Sequence, residues 1–363
     1  LSPPKIIAEA GTAHNGDLSC ARELIHAAKE SGADYIKFQY IIADEILHPH
    51  TGMLTLFQKK IPLYEKFKQL ERPPDFYKSL KEYCDKVQIT FLCSAFGLNS
   101  SKALIHMGVD SIKIASPELN HFELLQYIAH VHIPVILSTG VSTLCDIEEA
   151  LGLFDPTIPH TLLHCVTQYP ADEASYNVQC IQTLRSIFHV HTGISDHTED
   201  PILIPCIATV MGAYMIEKHF TLKKQLQGLD DTIAVDPAQL RNLCDQVRLY
   251  ATYPYEEAFS ALFQQFGQSR VKSAMGDGKK SITKEEKVIY TRTRRSLLAI
   301  RDMKKGEYLK HEDIRVLRAE QGHIPGLHPR YLPIIIGKKL CRSLKNGTGI
   351  QWDHVLENKD LLI

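Results

Sequence analysis

The chain has 363 residues, 44% of them hydrophobic and 23% charged, with 41 Lys and Arg against 42 Asp and Glu. That length points to two domains, and a net charge of −1 removes any electrostatic case for nucleic acid or an anionic membrane as a partner. No apolar run is long enough to cross a bilayer, and Leu1-Ser2-Pro3-Pro4-Lys5 lacks the charged and apolar regions of a signal peptide.

Short β-branched or apolar runs recur over the first 220 residues: Lys5–Glu9, Asp34–Phe38, Gln88–Cys93, Asp110–Ala115, Pro134–Ser138, Thr161–Cys165, Val190–Ile194 and Ala213–Glu217. Helical periodicity fills the gaps, as in Leu18–Ser31, Pro74–Lys86, Ser100–Met107, Asn120–Ala129, Thr143–Leu153 and Ile202–Gly212. Gly32 closes the first helix, Pro74 opens another and Asn120 caps a third. Eight strands alternating with helices, and a further helix over Ala238–Tyr250, predict an α/β fold of the (β/α)₈ TIM-barrel type rather than an open doubly wound sheet. The segment from Tyr40 to Pro73 is too long for one connection and reads as an elaborated loop over the barrel mouth. The barrel is expected over 1–262 and a polar connection over 263–290. A small β-rich domain follows over 291–363, with strands at Ser296–Ile300, Lys305–Leu309 and Gly337–Cys341. Nine scattered cysteines without Cys-x-x-Cys spacing suit reduced thiols in the cytoplasm.

In such barrels chemistry gathers at the C-terminal strand ends. Those ends carry Glu9; Lys37 and Gln39; Ser94; Lys113, Ser116 and Glu118; Ser138; His164, Thr167 and Tyr169; Ser195, Asp196 and His197; and Glu217, Lys218 and His219. Two lysines inside strands are costly to bury unless an anion or carboxylate pairs with them, and with the serines they describe a phosphate and carboxylate pocket. His197 and His219, at the ends of neighbouring strands, are a candidate metal pair. His164 reads as a packed core residue, Lys218 as outward-facing or paired with a carboxylate, Cys93 and Cys165 as core fillers, and Trp352 as packing in the small domain.

Ordered motifs then carry a family resemblance. Ala8-Glu9-Ala10-Gly11, Tyr35-Ile36-Lys37-Phe38-Gln39, Lys113-Ile114-Ala115-Ser116-Pro117-Glu118, Leu137-Ser138-Thr139-Gly140, Gly193-Ile194-Ser195-Asp196-His197-Thr198 and Glu217-Lys218-His219-Phe220 resemble the sialic acid synthase family. Arg294-Arg295-Ser296-Leu297, Lys304-Lys305-Gly306-Glu307 and Arg318 before Pro325-Gly326 resemble its C-terminal antifreeze-like (SAF) domain. The resemblance implies N-acetylneuraminate synthase activity: condensation of phosphoenolpyruvate with N-acetylmannosamine and water, giving a nine-carbon 2-keto acid and phosphate. It implies a divalent metal on His197 and His219, manganese foremost, with magnesium or cobalt as alternatives. It places Lys37, Ser94, Lys113, Ser116, Ser138 and Ser195 on phosphoenolpyruvate and Glu9, Gln39, Tyr169 and Asp230 near the sugar or the reacting centre, with Glu118 and Thr167 as further substrate-binding residues. Arg318 matches an arginine that reaches a neighbouring subunit's site, which implies a domain-swapped homodimer. Departures at Ala13, Thr167, Ser94-Ala95, Leu229 and Ala234 bear on the aldose, so a legionaminic or pseudaminic acid synthase using a 6-deoxy-diacetamido sugar is the alternative. A non-catalytic carbohydrate-binding protein is the third reading.

Overall fold

The computed structural model describes residues 2–56, 59–224, 233–320 and 322–356. Eight parallel strands close into a barrel: Lys5–Gly11, Tyr35–Tyr40, Thr90–Ala95, Ile112–Ile114, Val135–Ser138, Thr161–Cys165, His191–Asp196 and Met215–His219. Each pairs with its sequence neighbours, and the first closes on the eighth with Glu9 opposite His219. The outward residues of these strands pack with the surrounding helices into one large core, among them Ile6, Ala8, Ile36, Phe38, Ile112, Ile114, Leu137, Leu162, Ile194 and Ile216. The first of those helices, Leu18–Ser31, is capped by the Asp17 side chain and ends at Gly32 in the left-handed conformation.

The inward residues obey a simple rule. Ile7, Leu92, Ile136, Leu163 and Met215 form an apolar layer inside the barrel, with Tyr35 packed against it. Successive strand residues alternate between faces, so the next inward residue is two positions on. Those positions are Glu9, Lys37, Ser94, Ser138, Cys165 and Glu217, and the polar floor of the barrel mouth is thereby set by strand parity. Gly193 occupies the inward place on the seventh strand, where a Cβ would lie 2.0 Å from Met215 O. Only a residue without a side chain fits there, and Ser195 follows two positions later.

The long connection after the second strand is structured. It contains a short hairpin, Met53–Leu56 with Lys59–Pro62, and the helix Leu63–Leu70. Asn120 is not the expected cap, because His121 precedes the helix Phe122–Ala129 and makes no side-chain cap. Asn120 instead exchanges hydrogen bonds with the backbone of Arg295, donating to its carbonyl at 2.9 Å and accepting from its N–H at 3.1 Å. Beyond the barrel helix Pro237–Thr252, the helices Tyr255–Phe266 and Gln268–Met275 add Ala258, Leu262, Val271 and Ala274 to the barrel core. A tether helix, Lys284–Thr293, then leads to the small domain.

That domain has its own core, including Leu297, Met303, Leu309, Ile314, Ile335, Leu344 and Ile350, with Trp352 packed against it. Its sheet pairs Arg295–Ala299 antiparallel with Ile314–Arg318. The latter strand was not expected, and the expected strands Lys305–Leu309 and Gly337–Cys341 form no regular ladder but an isolated antiparallel bridge between Tyr308 and Lys339, flanked by backbone hydrogen bonds such as Leu309 N to Lys338 O and Leu340 N to Glu307 O. All nine cysteines are thiols, and no helix among the described residues is long and apolar enough to cross a membrane.

Candidate active site

The barrel mouth encloses a cavity of about 240 Å³ lined by thirteen of the residues singled out in the sequence: Glu9, Lys37, Gln39, Ser94, Lys113, Ser116, Ser138, Thr167, Tyr169, Ser195, His197, His219 and Arg318. Two others are placed differently. Glu118 lies fully buried behind the wall, where its Oε1 accepts from Arg295 (3.0 Å) and Arg318 (2.7 Å). Asp230 lies outside the described residues. Arg318, half of a bridge to Leu47 of the long mouth connection, is seated over the cavity of its own chain.

The floor is a four-charge network with almost no water contact. Lys37 Nζ stands 3.3 Å from Glu9 and 3.1 Å from Glu217, and Lys113 Nζ stands 3.9 Å from Glu217. Ser138 Oγ accepts from Lys113 at 2.6 Å, Ser195 Oγ donates to Glu217 at 2.9 Å, and Gln39 donates to Glu9 at 2.8 Å. Burial raises Glu9, and Lys37 offsets only part of that, so its carboxyl is pushed up to about 7. Burial also lowers Lys113, to about 8 despite the Glu217 charge beside it. Glu217 runs the other way: burial opposes its ionisation, yet Lys113 and Lys37 together hold it down at about 2. Glu217 thus stays ionised beside the two ammonium groups, while the Glu9 carboxyl is left titrating near pH 7. Such a divergence of pKa values is the mark of acid–base work.

The histidines meet one wall away. Their rings are 5.3 Å apart, and Tyr169 stacks on His197 at 4.2 Å. The Val166 carbonyl, 2.8 Å from His197 Nδ1, can only accept, so Nδ1 carries a proton and the neutral ring presents its lone pair at Nε2. Burial, reinforced by His197, holds His219 well below the ordinary histidine range, in the neutral form that ligates. The pair therefore fits a divalent cation, with His197 and His219 as its protein ligands. Among the described residues no cluster of three or more His, Cys, Asp or Glu is placed to hold a metal ion.

Several lining residues had not been assigned a role. Glu217 stands two positions before His219 on the same face, and that spacing is the signal that identifies it. Cys165, expected as core filler, faces the cavity with Sγ 3.8 Å from His197 Nδ1, again by parity from Leu163. Ile41, Phe67 and Phe96 supply an apolar side. Of these, Phe67 comes from the inserted helix and had no local signature. His164 and Lys218 point away from the cavity as structural residues: His164 Nε2 bonds Tyr176 O at 2.7 Å, and Lys218 pairs with Asp196 at 2.7 Å.

Residues 24–254 match the NeuB family and residues 294–356 match the SAF domain. The chain belongs to the NeuB family. An N,N'-diacetyllegionaminic acid synthase of Legionella pneumophila is 34% identical, over 96% of this chain and 94% of that protein. Among solved structures, the spore coat polysaccharide biosynthesis protein SpsE of Bacillus subtilis superposes with a TM-score of 0.81 at 32% identity, over 98% of this chain and 95% of that one. The N-acetylneuraminic acid synthetase of Leptospira borgpetersenii is also 32% identical, with a TM-score of 0.62 over 79% of this chain and 90% of that one. The two matches leave the helices Tyr255–Phe266 and Gln268–Met275 and the tether helix Lys284–Thr293 between them.

Proposed function

We propose that this NeuB-family protein condenses phosphoenolpyruvate with an N-acetylmannosamine-type aldose and water, forming a nine-carbon 2-keto sugar acid and inorganic phosphate. The observation that carries the reading is the pair of buried ammonium groups, Lys37 and Lys113, held charged by Glu217 within a cavity ringed by Ser94, Ser116, Ser138 and Ser195. A purely structural ion network would not open onto a cavity with four hydroxyls. Such a site suits a small molecule that bears both phosphate and carboxylate. A binding protein without chemistry has no use for a carboxyl tuned to about 7 beside that anion site.

The bond changes follow from this placement. C3 of phosphoenolpyruvate attacks the aldehyde carbon, whose oxygen gains a proton and becomes a hydroxyl. Water adds to C2, and Glu9 takes its proton. The tetrahedral intermediate then expels phosphate by cleavage of the C2–O bond; its C2 hydroxyl proton leaves with the phosphate, giving the ketone, and the proton taken up by Glu9 balances the one gained by the aldehyde oxygen. Lys37 and Lys113 hold the phosphate and carboxylate charge throughout, while the serine hydroxyls fix orientation. A divalent cation on the two imidazoles supplies Lewis acidity toward a carbonyl oxygen. Nitrogen ligands favour manganese or cobalt over magnesium.

A second reading has its own support. The 6-deoxy-diacetamido aldose of a legionaminic or pseudaminic acid synthase replaces a hydroxymethyl by a methyl, which suits the apolar side formed by Ile41, Phe67 and Phe96. The Legionella relative carries that activity in its name. The reading also includes a cytoplasmic homodimer. Exchange of identical small domains between two chains re-forms the Glu118–Arg295–Arg318 contacts in trans. Phosphate release from phosphoenolpyruvate, measured with manganese and each aldose in turn, tests the assignment. Release with N-acetylmannosamine alone supports the first reading, and release with the 6-deoxy sugar alone supports the second. Release with neither overturns both.

A further inference from the structure

The tether between the domains carries a buried carboxylate that the reaction above leaves unused. Glu286 lies in the first turn of the helix Lys284–Thr293 and is 1% exposed. Its Oε2 accepts from Thr283 N at 3.1 Å while Thr283 Oγ1 accepts from Glu286 N at 3.1 Å, a reciprocal capping box. Its other oxygen leaves the helix altogether. Oε1 accepts from Val141 N and from Thr167 N, each at 2.8 Å.

Those two amides belong to the loops that follow the fifth and sixth barrel strands, and both loops serve the cavity. Ser138 and Thr167 line it, and Thr167 Oγ1 is buried without a protein partner among the described residues. The loops also touch closely: a Cβ on Gly140 would lie 2.1 Å from Thr167 Oγ1, and Gly140 N donates to Ser116 Oγ at 3.0 Å. Val141 has φ +42°, the left-handed region that a β-branched residue occupies only when its surroundings impose it. The N–H of that strained residue is the one Glu286 holds.

Capping alone does not require this side chain. Thr143 and Asp146 form the same reciprocal box in this chain with an aspartate. The extra methylene of Glu286 is what lets one carboxylate serve the helix and both barrel loops. We propose that Glu286 is a positioning residue for the anion pocket: reaching in from the tether, it fixes the spacing of the Ser138–Val141 and Thr167 loops so that the unspent Thr167 hydroxyl meets the bound phosphate or carboxylate. Docking of the tether and completion of the pocket are then one event. The inference rests on the phosphoenolpyruvate reading.

The test uses the full chain and titration calorimetry of phosphoenolpyruvate with no aldose present, together with steady-state KM values and thermal melting. Glu286→Asp retains the charge and the cap but withdraws Oε1 from the barrel. It weakens phosphoenolpyruvate binding by roughly tenfold or more and leaves the aldose KM unchanged, and it melts below the wild type because Val141 N and Thr167 N lose their acceptor. Glu286→Gln keeps an oxygen for both amides and binds within about threefold of wild type. Thr283→Ala removes the cap alone, lowering the melting temperature without moving the phosphoenolpyruvate affinity. Wild-type affinity in Glu286→Asp overturns the proposal, as does an affinity loss in Thr283→Ala that tracks its melting temperature. A wild-type protein that binds phosphoenolpyruvate yet turns over with no aldose defeats the proposed reaction, while the comparison of affinities still decides the role of Glu286. A wild-type protein that does not bind phosphoenolpyruvate overturns both.

Discussion

Glu9 and Lys113 sit on the same polar floor, yet burial drives their proton affinities toward one another, to about 7 and about 8. A base that works deprotonated and a cation that works protonated together give a bell-shaped kcat/KM profile. The rate rises as Glu9 loses its proton through about pH 7 and falls as Lys113 loses its charge above about pH 8. Glu9→Gln removes the rising limb and lowers turnover by about 10²–10⁴. Lys113→Ala lowers it by about 10²–10³, mainly through phosphoenolpyruvate. A pH series on both variants and the wild type checks this, and an unchanged rising limb in Glu9→Gln would remove Glu9 from its role as base. Most of this floor was legible from residue order, because strand parity alone carries Ile7 to Glu9 and Leu92 to Ser94. Glu217 follows from the same rule applied backward from His219. Phe67 does not, since nothing local ties an exposed-looking helix in a long connection to a cavity in the barrel.

At the scale of elements, the mouth connection and the small domain are fastened by one buried arginine. Arg295 donates to Glu118 and to the carbonyls of Glu45, Phe96 and Val316, joining the barrel, its insertion and the small sheet. Arg295→Met strips Glu118 of one of two guanidinium partners and leaves those carbonyls unmet in the interior. Breaking a buried pair of this kind costs about 3–5 kcal/mol, a loss that urea denaturation measures directly. A change below 1 kcal/mol would show that Arg318 alone compensates. The eight strands and their helices were readable because each is a local periodic segment with its own start and stop signals. Ile314–Arg318 escaped notice because its partner, Arg295–Ala299, lies across an intervening loop, and pairing at that distance leaves no local mark. Asn120 misled for a related reason: a good capping residue was taken up by a backbone contact 175 positions away.

At the scale of the molecule, the small domain closes a cavity that the barrel leaves open, and Arg318 is its contribution to the lining. If two chains exchange these domains, each site combines one chain's lysines with the other's arginine. Mixed, refolded Lys113→Ala and Arg318→Ala variants then regain about a quarter of wild-type sites, since half the dimers are mixed and each has one intact site. A mixture that stays silent places the contact within one chain. The central claim, that this NeuB-family protein joins phosphoenolpyruvate to an aldose with C–O cleavage, is tested most directly with phosphoenolpyruvate labelled by ¹⁸O in its bridging position. Phosphate release should require both a 2-acetamido aldose and a divalent cation, with the label in the released phosphate. Release without an aldose, or label retained in the keto acid, would contradict it.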